Sequence, residues 1–108
     1  MLKRLFEAAP QDPQFIEYLG VCYDHIKYID DAIRVFEHGI IVFPQHPGFY
    51  FSLGALYEKK KEWNKAISAF ERAIEHHPPL KVQLEQRIRM LQGLAAGSQI
   101  SYNVNVGV

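Results

Sequence analysis

Shifting the chain against itself by 34 residues constrains its fold more than any other feature. In that register Leu19 meets Leu53, Gly20 meets Gly54 and Tyr23 meets Tyr57. Further along, Ala32 meets Ala66, Ile33 meets Ile67, Phe36 meets Phe70 and Glu37 meets Glu71. Gly39 then meets Ala73, Ile40 meets Ile74, and Pro44 meets Pro78. A period of this length marks stacked supersecondary units, none of which can bury its apolar face alone.

Each unit reads as two amphipathic helices. "PQFIEYLGVCYDHI" places Phe15, Leu19, Cys22, Tyr23 and Ile26 at helical spacing. "DDAIRVFEHGIIVF" does the same with Ala32, Ile33, Phe36, Gly39, Ile40 and Phe43. In the next unit "GFYFSLGALYEKK" precedes "NKAISAFERAIEHH". Asp30 or Asp31 and Asn64 are the expected N-caps of the second helices, and Pro44 and Pro78-Pro79 the stops. Glycine within a helix costs roughly 0.5–1 kcal/mol against alanine, so its return at Gly20 and Gly54 means that packing needs the space.

These positions resemble the tetratricopeptide repeat. The family pattern of Trp, Leu-Gly, Tyr, Ala, Phe and Pro is met by Ile16, Leu19-Gly20, Tyr23, Ala32, Phe36 and Pro44. A second unit supplies Tyr50, Leu53-Gly54, Tyr57, Ala66, Phe70 and Pro78. The family's Trp is replaced both times, and Lys27 and Lys61 stand where it often has another glycine, so irregular turns are expected there. The resemblance implies an all-α, right-handed solenoid of antiparallel helix pairs. Its repeats would span 13–46 and 47–80.

Outside them, residues 1–12 fit the end of a preceding second helix, because Leu2 and Pro10 fall 34 before Phe36 and Pro44. A fragment of a longer array is therefore expected. Residues 81–95 put Leu84, Ile88 and Leu91 on one stripe, as a capping helix does, with Arg87 where the repeat has leucine. Residues 96–108 form a linker and a tail in which Ile100, Tyr102, Val104, Val106 and Val108 alternate with polar or small residues. That period of two predicts a strand-like interaction arm, the start of a β domain, or a frayed end.

Twelve basic residues balance twelve acidic ones, which argues against a nucleic-acid partner, and no apolar run spans a bilayer. A single cysteine, Cys22, excludes an internal disulfide and a multi-cysteine metal site. It does not fix the compartment, although the cytoplasm is slightly favoured over the periplasm. Adjacent His76 and His77 point about 100° apart on a helix and are poor joint ligands, so no metal is expected. No phosphate-binding glycine loop, nucleophile elbow or catalytic metal motif is present, which argues against an enzyme and leaves no cofactor to assign.

In the family, first helices line a concave groove that holds extended peptides or helices. The resemblance thus nominates Gln14, Glu17, Tyr18, Val21, Asp24 and His25 in the first repeat. Phe51, Ser52, Ala55, Glu58 and Lys59 follow in the second, and Glu85 and Arg89 in the capping helix. Chaperone-binding members clamp a C-terminal carboxylate here with Lys, Asn and Arg. Glu17 and Val21 occupy the first lysine and asparagine sites, so no such clamp is expected. A protein or peptide with apolar anchors and positive charge fits better. Two alternatives stay open: a self-assembling module, or the periplasmic repeat part of an outer-membrane export protein.

Overall fold

A computed structural model describes residues 12–107, with side chains through residue 97. The helix end expected over 1–12 lies outside this range apart from Asp12. Helix α1 spans Pro13–His25, α2 Ile29–Val42, α3 Pro47–Lys59, α4 Trp63–His76 and α5 Lys81–Gly107. One 3-10 turn, Pro78–Leu80, joins the last two. The architecture is an all-α solenoid of helix pairs, in which each helix packs against its neighbours in sequence.

Local chemistry explains the helix ends. Asp12 caps α1 by accepting the Gln14 N–H at 2.9 Å, and Pro13 occupies the first turn, where its missing N–H is not needed. Pro47 does the same for α3. The second helices start earlier than their polar residues predict. The N-cap of α2 is Tyr28, which leaves Asp30 and Asp31 in the first turn, where carboxylates suit the positive end of the helix dipole. The N-cap of α4 is Glu62, so Asn64 lies inside the helix.

The cause of this early restart is the turn within each pair. Lys27 and Lys61 adopt φ of 70° and 61°, the left-handed region. The Tyr28 N–H reaches Tyr23 O at 2.8 Å and the Lys27 N–H reaches Asp24 O at 3.0 Å. Glu62 and Lys61 repeat the scheme onto Tyr57 O and Glu58 O, both at 2.9 Å. Both turns are therefore regular Schellman motifs, with lysine where glycine is usual. The left-handed conformation costs a non-glycine residue roughly 1 kcal/mol or more. Lys61→Gly should raise stability by about 1 kcal/mol, read as a melting temperature higher by roughly 4–8 °C. An unchanged or lower melting temperature would contradict this account of the turn.

The core has two connected parts. Ile16, Leu19, Ala32, Phe36, Phe49 and Leu53 form the first, across α1, α2 and α3. Ala66, Phe70, Ala73, Leu84, Ile88 and Leu91 form the second, across α4 and α5. Ile40 packs against both. The small residues work as the repeat implies: a Cβ placed on Gly20 would lie 2.3 Å from the Phe36 ring, and one on Gly54 2.5 Å from the Phe70 ring. Cys22 is half-buried.

The tail departs from expectation. Helix α5 continues through Gly107, and the described residues contain no strand. The expected linker and strand-like arm at 96–108 is thus helical to Gly107. The reason is hydrogen bonding. A lone strand leaves its backbone N–H and C=O groups without a ladder, whereas a helix extended from an existing one satisfies them internally without a new nucleation step. Alternation of side chains cannot supply a partner strand where the described residues hold none.

Candidate partner-binding face

The nominated residues lie on α1, α3 and the first turns of α5, and two ion pairs tie those helices together. Lys59 Nζ lies 2.7 and 2.8 Å from the two carboxylate oxygens of Asp24, joining the end of α3 to the end of α1. Arg87 on α5 donates through Nε and Nη2 to Glu58 Oε1, at 2.9 and 2.8 Å. Its guanidinium also lies 4.9 Å from the centre of the Phe70 ring and 5.8 Å from that of Phe51. Phe51 meets Phe70 edge-on with centroids 5.6 Å apart. Phe51 is therefore half-buried between helices, with a cation over it.

Pairing sorts the nominated residues into two groups. Asp24, Glu58, Lys59 and Phe51 spend their polar or aromatic character on neighbouring helices. Ser52 and Ala55 are half-buried on α3. Gln14, Tyr18, Val21 and His25 remain open on α1. Tyr18 is 69% exposed and Val21 56%, a large apolar surface to leave in water one helical turn apart. Glu17 sits at the α1–α3 junction, half-buried, with Oε2 3.9 Å from His46 Nε2, an ion pair only when that imidazole is protonated. Glu85 and Arg89 are exposed and pair with each other at 3.8 Å rather than with α3. The side chains of Ile100, Tyr102, Val104 and Val106 lie outside those described.

Two residues of this face were not anticipated. Arg87 makes the contact to α3 that Arg89 does not. Its place at a leucine position of the repeat was the available signal, because a long side chain there can cover apolar surface with its stem while its head finds a charge. His46, edge-on to Phe49 with centroids 4.4 Å apart, had no sequence signal beyond its position before Pro47.

At the far end of the pairs, Lys60 bridges Asp30 at 2.6 Å and Glu62 at 3.4 Å, linking the two equivalent turns. The hydrogen bond from Lys60 holds Asp30 below the usual carboxylate range, and the same bond raises Lys60. Glu62 is lowered first by its hydrogen bond to Lys65. These groups are solvent-exposed, so they fix turn geometry more than they stabilise it. Among the described residues no three His, Cys, Asp or Glu side chains converge on a possible ion site, and no helix is long and apolar enough to cross a membrane.

The family model of the tetratricopeptide repeat matches residues 48–79. No curated protein matches the chain. Among solved structures, the chain is similar to the type III secretion chaperone SycD of Yersinia enterocolitica, crystallised in complex with a peptide of the translocator YopD. That match has a TM-score of 0.71 at 24% identity, and covers 90% of this chain and 76% of SycD. The likeness is one of fold.

Proposed function

We propose that this chain, which has a tetratricopeptide repeat matched at residues 48–79 and the fold of such proteins, is a non-catalytic scaffold that binds a protein or peptide segment along its α1–α3 face. The observation that carries this reading is the open pair Tyr18 and Val21, set beside charged residues that are already matched. Paired charges give such a face little free electrostatic attraction, so an incoming segment gains mainly by covering apolar surface. A segment with one or two apolar anchors suits it. Glu17 and His25 at the edges then set orientation. SycD supports the reading because it has the same fold and was crystallised with a peptide.

A peptide array probed with the full chain tests this. For the tightest peptides, Val21→Arg should weaken binding about tenfold or more, equivalent to 1.4 kcal/mol, while leaving the melting temperature unchanged because the side chain is exposed. Equal binding by Val21→Arg and Tyr18→Ala variants would exclude this face.

A further inference from the structure

A second surface lies on α2, α3 and α4, without α1 or α5. It is an open cleft of about 420 Å³. One wall is α2, with Glu37 and Ile40; the floor is α3, with Tyr50, Leu53 and Tyr57. The other wall is a stripe of α4 in which Lys65 and Arg72, two helical turns apart, flank the small residues Ser68 and Ala69. Small residues at the middle of a wall leave room for a side chain between the helices. Ile41, next to Ile40 and one turn beyond Glu37, is 78% exposed, so apolar surface continues out of the cleft.

The two ends of the cleft differ in charge. At the Tyr57 end, the tyrosine hydroxyl donates to Glu37 Oε2 at 3.3 Å. Lys65 lies over the same ring at 5.6 Å and is matched by Glu62 at 3.2 Å. Burial and the nearby Glu37 raise the Tyr57 pKa, which keeps this hydroxyl a donor. An added anion meets the Glu37 carboxylate there and is repelled. At the Tyr50 end, the phenol donates to Pro44 O at 3.1 Å and its ring stacks on His76 with centroids 5.0 Å apart. Arg72, one turn before His76, has no ion-pair partner among the described residues. A free guanidinium beside an apolar floor is a site for a carboxylate, with two parallel donors available to it.

From this juxtaposition we propose that the cleft between α2 and α4 is a second docking surface, and that it takes a partner segment carrying an aliphatic side chain followed by acidic residues. The aliphatic group covers Ile40 and Ala69 between the two walls. The carboxylates lie toward Arg72, away from Glu37, which fixes the direction of the segment. This surface is separate from the α1–α3 face, so one chain holds two different segments at once and joins their owners.

The test uses the full chain, amide chemical-shift mapping by NMR, and a blocked tetrapeptide of leucine, glycine and two aspartates. Its twin carries lysines in place of the aspartates. Titration to about 1 mM, the affinity that roughly 4 kcal/mol of binding supports, should move resonances of α2 and α4 around Ile40, Ser68 and Arg72. Arg72→Glu should weaken this at least about tenfold, and Ser68→Trp should block it by filling the wall. Both positions are exposed, so the fold tolerates the changes, which a melting curve checks. Shifts confined to Tyr18 and Val21 would overturn the second surface while leaving the α1–α3 face intact. Equal binding of the lysine twin, or no shifts at all, would also overturn it.

Discussion

Phe49→Ala should destabilise this chain by about 3–5 kcal/mol, a large part of the roughly 5–15 kcal/mol that holds a domain folded. Phe49 is fully buried although it stands in the first turn of α3. Its ring lies 6.1 Å from that of Phe36 and 6.4 Å from that of Phe43, both contributed by α2 or its end. Gly39 makes way for it, since a Cβ there would meet the ring at 2.9 Å. The ring therefore locks the second helix pair onto the first, and its loss opens a cavity at the joint between them. Denaturant unfolding measures the cost. Phe15, its counterpart 34 residues earlier, is only half-buried, so Phe15→Ala should cost clearly less. Equal losses at the two sites would mean that the joint is not where the stability resides.

Gly54→Ala should lower stability by about 1–3 kcal/mol, against the sign that helix propensity alone assigns. Alanine is the better helix former by roughly 1 kcal/mol. The new methyl, however, would stand 2.5 Å from Phe70 Cε1, in a ring with no exposed surface and Phe51 against it. Either the ring leaves its rotamer or α3 and α4 separate. Gly93 is the control, because nothing lies within 4 Å of a Cβ built there. Gly93→Ala should therefore stabilise by roughly 1 kcal/mol. Thermal melts of the two variants should move in opposite directions. Trimming the ring with Phe70→Leu should recover part of the Gly54→Ala loss, a coupling that a double-mutant cycle isolates. If Gly54→Ala and Gly93→Ala both stabilise, the close approach is not needed.

The amino-acid pattern alone determined the helix pairs, their period, and the need for space at Gly20 and Gly54. All of these follow from residues close in sequence, where a 3.6-residue period and side-chain volume leave few choices. What it left open depends on groups far apart in the chain. Phe15 and Phe49 are the same residue at the same register, yet only stacking against α2 buries one of them fully. Arg87 and Arg89 are two residues apart, yet only the angle at which α5 docks gives Glu58 to the first. Lys27 and Lys61 hold regular turns because the backbone hydrogen bonds of the Schellman motif outweigh a left-handed lysine. At the tail, alternation predicted a strand, but a strand is a property of two segments. With no second strand among the described residues, the backbone satisfies its hydrogen bonds within the helix and α5 continues to Gly107.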